Sequence, residues 1–407
     1  MNCRFDSLPL DALFVDLGFS PPSNSYLKKE QLNELEAYYP LRLYVSDRTF
    51  LVQIDEHKSA HEIFSEEYAY FSSYSNTWLK HAEAYVAMVV DRFQIDPSWQ
   101  VVELASNDGY LLQYFKERKV PVLGIDPSQS VATIAAKKGI ETRVEFFGFE
   151  LADNLVAEGK VADLLIGNNV LAHVPDLNDF VSGMKRLLSE PGIITMEFPH
   201  LMRLVESVEF DTIYHEHFSY FSFYTVVQIF AVHGLHIFDV EEITTHGGSL
   251  RIYAQHANGR QPTRSRVQEL LDNERSAGMQ TMEYYQGFQR KVDQIKLSLL
   301  KFLIQQKEAG HKVAAYGAAA KGNTLLNFCG VRQDFISFVV DASDYKQGHF
   351  LPGSHIPIVD ESKILSERPD YIIILPWNLK DEIVEQLSYV RDWGAQFVVP
   401  IPELKCF

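Results

Sequence analysis

The sequence is poor in cysteine and in basic residues, and it lacks long hydrophobic runs. Its three cysteines, Cys3, Cys329 and Cys406, are too few and too scattered for a disulfide framework. No run approaches the ~20 apolar residues of a membrane helix, and the first residues do not form a basic-then-apolar signal peptide. A formal net charge of −17 argues against a nucleic-acid-binding surface. We therefore expect a cytoplasmic protein that binds neither membranes nor nucleic acid.

Two regions of the chain alternate short apolar runs with helical patterns. They lie within residues 76–260 and 310–407, and such alternation predicts α/β units with parallel, doubly wound sheets. Residues 261–309 between them are polar and follow a long helical pattern, which predicts a helical connector. Residues 1–75 contain the β-like stretch "YPLRLYVSDRTFLVQID" and are predicted to form a small N-terminal module.

In the first α/β unit, acidic residues end two neighbouring strands. Glu103 ends a strand in "VVELASNDGYLL", and Asp126 ends the next one in "VLGIDPS". Ligands of such sheets bind at the carboxyl ends of the strands, where an acid suits ribose hydroxyls. The dinucleotide pattern G-x-G-x-x-G is absent, which favours S-adenosylmethionine (SAM) over a nicotinamide; a sheet without a cofactor is the plainer alternative. The predicted cofactor-binding residues are Glu103, Ala105, Ser106, Asn107, Asp108, Gly109, Asp126, Asn168 and Asn169.

The stretch "DTIYHEHFSYFS", residues 211–222, concentrates histidine, tyrosine and carboxylate side chains. Histidine and tyrosine exchange protons with a substrate near neutral pH, so the stretch suits acid–base chemistry. The plainer interpretation is a half-buried aromatic strand or helix whose polar tips reach water.

The second α/β unit opens with "VAAYGAAAKGNTLLNF", which predicts a strand, a Gly-Ala-rich loop and a helix. Backbone N–H groups at that helix start suit a diphosphate, and Lys321 adds positive charge. Asp341 ends the next strand 24 residues after Gly317, a spacing typical of a ribose-binding acid. The glycine spacing is wrong for a dinucleotide, and a purely structural domain is the alternative.

Together, the blocks "YAYFSSYS", "ELASNDGYLL", "NNVLAHVPDLNDF", "FDTIYHEHFSYFS", "THGGSLRIY" and "YGAAAKGNTLLN" resemble the sugar C-methyltransferase family over nearly the whole chain. Members methylate carbon 3, sometimes carbon 5, of nucleotide-linked 4-keto-6-deoxy sugars. The resemblance implies a small zinc-binding module, a central SAM-binding Rossmann-like domain and a C-terminal Rossmann-like domain that holds the nucleotide sugar.

A carbon beside a ketone becomes nucleophilic when a base removes its proton and hydrogen-bond donors stabilise the enolate oxygen. By resemblance, His217 is the base, Glu216 an orienting carboxylate and Tyr214 a donor at the sugar. His173 and Tyr68 match the family's other active-site positions. Each has a plainer alternative: Tyr68 as a core residue, His173 as a helix cap and His217 as a satisfied buried histidine.

The resemblance also implies a set of substrate-binding residues for the nucleotide sugar. These are Ser249, Arg251, Gly317, Lys321, Asn323 and Asp341. We expect the enzyme to act as a monomer or weak homodimer.

The N-terminal module departs from the family pattern. The family's zinc ribbon resembles two C-x-x-C pairs, whose positions here hold Cys3 with Asp6 and Ser46 with Thr49. One thiolate out of four cannot form a structural tetrahedral zinc site. We therefore predict that the module keeps its outline without zinc.

The sequence favours a SAM-dependent C-methyltransferase that deprotonates and methylates carbon 3 of a nucleotide-linked 4-keto-6-deoxy sugar. Three alternatives stay open. They are a C-5 methyltransferase of the same family, a nicotinamide-dependent sugar oxidoreductase or epimerase that uses the second α/β unit, and a catalytically inactive assembly subunit.

Overall fold

The structure is a computed structural model that describes residues 1–57 and 71–407. The predicted active-site residue Tyr68 lies outside the described residues. In the described part of the chain, the strands form three sheets. No described helix is long and apolar enough to cross a membrane.

The N-terminal sheet is antiparallel and has the order β1-β2-β3-β9. Its strands are β1 Leu13–Ser20, β2 Tyr39–Val45, β3 Val52–Ile54 and β9 Ser219–Tyr220. β9 belongs to the aromatic stretch 211–222, so this stretch pairs with the N-terminal module rather than with the central sheet.

The central sheet has the order β10-β11-β8-β7-β4-β5-β6. Its strands are β4 Val101–Leu104, β5 Val122–Ile125, β6 Thr142–Arg143, β7 Ala162–Asn168, β8 Leu188–Pro199, β10 Leu235–Ile243 and β11 Ser249–His256. β6, β5, β4, β7 and β8 are parallel, whereas β11 is antiparallel to both of its neighbours. The predicted doubly wound α/β sheet is therefore confirmed.

Helices cover both faces of the central sheet, because its inner strands are apolar on both sides and need burial twice. The helices of this part of the chain are α1 Asn76–Phe93, α2 Leu112–Glu117, α3 Gln129–Lys137, α4 Phe149–Ala157, α5 Leu177–Leu187, α6 Leu201–Glu206 and α7 Phe223–Val232, of which α6 packs into a different core from that of the sheet. The connector contains α8 Ser265–Ser276, α9 Met282–Tyr285 and α10 Phe288–Glu308.

The C-terminal sheet has the order β14-β13-β12-β15-β16-β17 and is parallel except for β17. Its strands are β12 Val313–Tyr316, β13 Val339–Val340, β14 Ile358–Val359, β15 Tyr371–Ile374, β16 Gln396–Val399 and β17 Lys405–Cys406. The helices of this unit are α11 Ala320–Cys329, α12 Ser362–Glu367 and α13 Lys380–Gln386.

One hydrophobic core joins parts of the chain that are distant in sequence. It contains Leu43 of β2, Phe288 of α10, Leu325 of α11 and Phe218 of the aromatic stretch. The N-terminal sheet, the connector and the C-terminal unit therefore share one buried interior, and the stretch 211–222 lies against it.

Candidate active site

The stretch 211–222 forms a turn whose backbone is held by distant partners. A 3-10 turn spans Phe210–Thr212, and the Phe218 N–H donates to the Ala172 carbonyl at 2.7 Å. The Phe218 carbonyl in turn accepts from the Ile54 N–H at 3.1 Å. These bonds bring His173, next to Ala172, beside the stretch.

His173 and His217 lie together, with ring centres 4.7 Å apart. Nδ1 of His217 is 3.0 Å from the Thr212 carbonyl oxygen, and Nδ1 of His173 is 2.8 Å from the Glu216 carbonyl oxygen. A carbonyl oxygen only accepts, so Nδ1 of each ring carries the proton and donates it. In the neutral rings Nε2 is therefore the basic nitrogen, which is the tautomer that a general base requires.

Burial keeps both imidazoles neutral. It lowers the pKa of His217 well below its usual value, and His173 lowers it further. Burial also lowers the pKa of His173 to about 4, against a smaller opposing effect of the Glu216 backbone. At neutral pH both rings can therefore accept a proton.

Tyr214 is packed against the proposed base. Its ring centre lies 4.1 Å from that of His217, and Tyr220 lies 6.0 Å from His217 on an edge. His215 faces away, since its Nε2 lies 3.1 Å from the carbonyl oxygen of Pro40 in the N-terminal module. The turn thus separates the two histidines of the stretch.

Glu216 is buried and bound by a residue that sequence reasoning missed. Asn24 of the N-terminal module donates its amide to Glu216 Oε1 at 2.7 Å. Burial raises the pKa of Glu216 to about 7, with the Asn24 bond opposing it. Asn24 lies 192 positions away in the chain, so no local pattern could have indicated this contact.

His246 is a second residue that sequence reasoning did not assign, although it lies in the "THGGSLRIY" block. It occupies the turn between β10 and β11 with a left-handed φ of 55°, a conformation that costs energy outside glycine and concentrates at functional sites. Its Nε2 is buried without a hydrogen-bond partner among the described residues. Burial lowers the pKa of His246 to about 4, and the charge of Lys321 lowers it further.

The loop after β4 is shaped for close approach by a ligand. Ala105, Asn107 and Gly109 all have left-handed φ values, of 54°, 50° and 74°. A Cβ at Gly109 would lie against the Ile140 side chain, so the position requires glycine. Asn169, after β7, is also left-handed at 54°.

Asp126, which follows β5, forms hydrogen bonds that hold the loop after β4 in place. Its carboxylate accepts the backbone N–H of Asn107 at 3.0 Å and that of Ser128 at 2.9 Å. Burial raises the pKa of Asp126 to about 6, while these two bonds lower it. Glu103 is 1% exposed, its Oε2 has no hydrogen-bond partner in the described structure, and burial raises its pKa well above the usual value.

These features fit SAM, whose sulfonium and ammonium groups are cationic and whose ribose carries hydroxyl donors. Four buried acceptor atoms near this loop have no hydrogen-bond partner among residues 1–57 and 71–407: Glu103 Oε2, Asp108 Oδ1, Asn168 Oδ1 and Asn169 Oδ1. Two of the predicted cofactor-binding side chains also bind the protein itself. The amide oxygen of Asn107 accepts the Ser72 N–H at 2.9 Å, and the carboxylate of Asp108 accepts a hydrogen bond from the Ser73 hydroxyl. A Cβ at Gly124 would meet the Ser106 side chain, so Ser106 packs under the loop.

The C-terminal unit repeats the arrangement around Asp126. The Asp341 carboxylate accepts the Ala318 N–H at 2.7 Å, in the loop after β12, and the Ser343 N–H at 2.9 Å. Gly317 in that loop has a φ of 91° and abuts Pro376. Asn323 donates its amide to the Ser23 carbonyl at 2.6 Å, which ties α11 to the N-terminal module.

Two predicted substrate-binding residues of β11 have protein partners. Arg251 forms a buried ion pair with Glu197 of β8, with Nη2 at 2.6 Å from Oε1, and Glu197 also contacts His81 at 2.8 Å. The Ser249 hydroxyl donates to the Thr245 carbonyl at 2.9 Å and so braces the turn that carries His246.

The four zinc-ligand positions of the N-terminal module converge without a zinc-binding donor set. The Cys3 sulfur lies 3.7 Å from the Thr49 hydroxyl, and the Ser46 hydroxyl accepts the backbone N–H of Thr49 at 3.1 Å. Burial raises the pKa of the Cys3 thiol, against hydrogen bonds from the Asp6 and Phe5 backbones. No group of three or more His, Cys, Asp or Glu side chains in the described ranges is arranged to hold a metal ion. One thiol and two hydroxyls do not fit structural zinc.

Comparisons with known proteins agree with this arrangement of parts. Residues 244–402 match a family described as C-methyltransferase C-terminal domain, residues 78–240 a methyltransferase domain and residues 3–64 a putative zinc binding domain. The chain is 33% identical over 389 residues to C-methyltransferase NovU from Streptomyces niveus, covering 96% of this chain and 92% of that protein. The chain belongs to the C-methyltransferase family. This C-methyltransferase is therefore SAM-dependent, as its sequence predicts.

Solved methyltransferase structures are more distant from this C-methyltransferase. Magnesium protoporphyrin IX methyltransferase from Synechocystis PCC 6803 is 16% identical with a TM-score of 0.35, and the match covers 43% of this chain and 82% of that one. A SAM-dependent methyltransferase from Thermotoga maritima is 18% identical with a TM-score of 0.36, covering 48% of this chain and 99% of that one.

Proposed function

We propose that the enzyme methylates carbon 3 of a nucleotide-linked 4-keto-6-deoxy sugar through an enolate. The observation that carries the proposal is the pair of neutral imidazoles, His173 and His217, each with Nδ1 bound to a carbonyl oxygen and Nε2 left as the base. Removal of a proton from a carbon beside a ketone requires such a base. Methylation of an oxygen or nitrogen that is already nucleophilic depends less on one.

In this proposal His217 removes the proton, and Tyr214, whose tilted ring packs against it, donates a hydrogen bond to the sugar. Glu216 orients the substrate from the turn that carries both, and His173 holds that turn through the Glu216 carbonyl. Tyr68 keeps its predicted role in the active site by resemblance alone.

SAM would be held by the loop after β4 and by the acids at the strand ends. We assign Asp126 to the ribose hydroxyls, and Glu103 Oε2 and Asn168 Oδ1, which have no hydrogen-bond partner in the described part of the chain, would be further acceptors. When bound, SAM supplies the methyl group. The remaining loop residues, Ala105, Ser106, Asn107, Asp108, Gly109 and Asn169, would line its approach.

The nucleotide sugar would be anchored by the C-terminal unit. The matched hydrogen bonds of Asp341 and Asp126 support a second ribose site, with Gly317 in the loop after β12. Asn323 and Lys321 of α11 and Ser249 and Arg251 of β11 complete the proposed set. In this proposal residues 76–260 bind SAM and residues 310–407 bind the nucleotide sugar. Residues 261–309 connect these two domains, and residues 1–75 form a module without zinc.

A panel of keto sugars tests the proposal. The purified enzyme, incubated with SAM and dTDP-, GDP- or CDP-linked 4-keto-6-deoxy sugars, should convert at least one of them to a product heavier by one methylene, detected by mass spectrometry. Calorimetry should show binding of SAM and not of NAD or NADP. Binding of NAD with oxidation or epimerisation of the sugar, and no methylation, would instead support the oxidoreductase alternative.

We also propose that the protein acts in the cytoplasm as a monomer or weak homodimer. The formal net charge of −17 supports this, because a net charge far from zero keeps proteins soluble and monomeric.

A further inference from the structure

A half-buried lysine of the C-terminal unit borders the proposed catalytic turn. Lys321 lies in the first turn of α11, and Thr324, one helical turn later on the same side, donates its hydroxyl to the Ile213 carbonyl at 2.8 Å. The Lys321 Nζ lies 4.6 Å from the centre of the Trp377 ring. Trp377 donates its indole N–H to the Asp211 carboxylate at 2.8 Å. Lys321 Nζ also donates to Asn378 Oδ1 at 2.7 Å, and the contacts of its neighbours Thr324 and Trp377 place it next to the turn.

The turn that carries His246 belongs to the central domain and borders the same space as Lys321. Gly247 follows His246, and a Cβ there would collide with the Trp377 ring and the Glu209 carboxylate. His246, Trp377 and Lys321 therefore converge from three separate segments of the chain, and glycine at position 247 is what permits their approach.

Two buried acids lie beside the lysine. Burial lowers the pKa of Lys321, whereas Asp211 and Glu209 raise it. These carboxylates are 0% and 3% exposed, and Asp211 Oδ1 and Glu209 Oε1 have no hydrogen-bond partner among the described residues. Burial raises the pKa of Glu209 to about 8 and that of Asp211 to about 6. At pH 7 Asp211 is therefore mainly ionised and Glu209 mainly protonated, so Lys321 and Asp211 together offer too little positive charge for a diphosphate, which carries more than one negative charge.

The neighbouring imidazoles cannot supply positive charge. Burial lowers the pKa of His173, His217 and His246, and the charge of Lys321 lowers that of His217 and His246 further. The three rings are neutral at pH 7, and Lys321 is the neighbouring group whose positive charge acts on His217 and His246. An oxyanion that develops in this space would be stabilised by the positive charge of Lys321.

We propose that Lys321 is a catalytic residue whose ammonium stabilises the oxygen at carbon 4 of the substrate as the enolate forms. This inference rests on the proposed function. His217 Nε2 takes the proton from carbon 3, and the electron pair of that C–H bond becomes the double bond between carbons 3 and 4. The carbonyl π pair moves onto oxygen, which the ammonium faces. Lys321 therefore contacts the sugar ketone rather than the diphosphate.

Proton exchange without SAM isolates this step. The wild-type enzyme, saturated with a converted nucleotide sugar in deuterated water, should exchange the proton at carbon 3. Lys321→Met should lower the exchange rate by about 10²–10³-fold, the usual cost of removing an oxyanion donor. Its affinity for the matching nucleoside diphosphate, which lacks the sugar, should be unchanged. Exchange at the wild-type rate by Lys321→Met would overturn the proposal.

Lys296→Met is the matched control. Lys296 of α10 also lies over an aromatic ring, 4.5 Å from the centre of Phe328, and donates to the Phe328 carbonyl, but it does not border the catalytic turn. This variant should exchange at the wild-type rate, and both variants should bind SAM. A wild-type enzyme that neither exchanges nor methylates any keto sugar would contradict the proposed function itself, which is a different outcome.

The pH dependence of the exchange rate tests Asp211 as a positioning residue. Because Asp211 raises the pKa of Lys321, Asp211→Asn should shift the basic limb of the exchange rate to lower pH, where the lysine now loses its proton. Asparagine keeps an acceptor for the Trp377 N–H. A purely structural role would lower the rate at every pH and leave the basic limb in place, and that result would overturn the assignment of Asp211.

Discussion

At the scale of residues, the chemistry of the site depends on where each histidine proton is held. The carbonyl oxygens of Thr212 and Glu216 fix the protons of His217 and His173 on Nδ1. Burial then disfavours the charged form of each ring. Two ordinary backbone groups thus turn two imidazoles into bases, without the carboxylate partner that many catalytic histidines use.

His217→Asn should lower turnover by about 10²–10⁴-fold, because a ketone alone acidifies the neighbouring proton only in part. SAM affinity, measured by calorimetry, should not change. His215→Asn is the matched control from the same turn, since His215 faces Pro40 and not the site. Methylation by His217→Asn at near the wild-type rate would assign the base elsewhere, with His173 next.

Asp126→Ala should weaken SAM binding by about 1.5–3 kcal/mol, the range for hydrogen bonds to a charged group. The control is Asp341→Ala, which removes the equivalent acid, with the same pair of backbone bonds, from the C-terminal unit. That variant should bind SAM normally and bind the nucleotide sugar less tightly. Equal SAM affinity in wild type and in a folded Asp126→Ala protein would refute the cofactor assignment.

At the scale of elements, hydrogen bonds occupy the place of the family's zinc site. Cys3, Ser46 and Thr49 are joined through hydroxyl, thiol and backbone groups, and the two turns that would bind metal persist. The module also pairs with the catalytic turn through β3 and β9. We therefore propose that the module positions that turn.

Restoring thiolates should restore metal binding. The variant Asp6→Cys, Ser46→Cys, Thr49→Cys should hold one zinc per chain after dialysis, by elemental analysis, because four thiolates then meet at converging positions. The wild-type protein should hold none in stoichiometric amount. Stoichiometric zinc in the wild type would show that the metal has ligands not recognised in this module.

The α/β units were predictable from sequence, because buried parallel strands such as "ADLLIGN" appear as continuous apolar runs between helical patterns. The family was predictable from motif blocks in order, and both predictions are confirmed. The turn at 211–222 was not, because its backbone partners, Ala172 and Ile54, are remote. Asn24 and His246 were missed for the same reason: their importance arises from contacts that no local spacing encodes.

At the scale of the whole molecule, the proposed site is assembled from every major part of the chain. The N-terminal module contributes Asn24, the central domain His173 and the turn 211–222, and the C-terminal unit Lys321. A shared hydrophobic core joins the N-terminal sheet, the connector and the C-terminal unit. We infer that the parts act as one enzyme, with the sugar held where they meet.

The position of the transferred methyl group tests this account most directly. The product made with SAM labelled by ¹³C in its methyl group should be analysed by nuclear magnetic resonance. The account predicts a label bonded to carbon 3 of the sugar, beside the ketone, in the wild-type product, and about 10²–10⁴-fold less of it from His217→Asn in the same time. A label on oxygen or nitrogen, or on any carbon other than carbon 3, would contradict it.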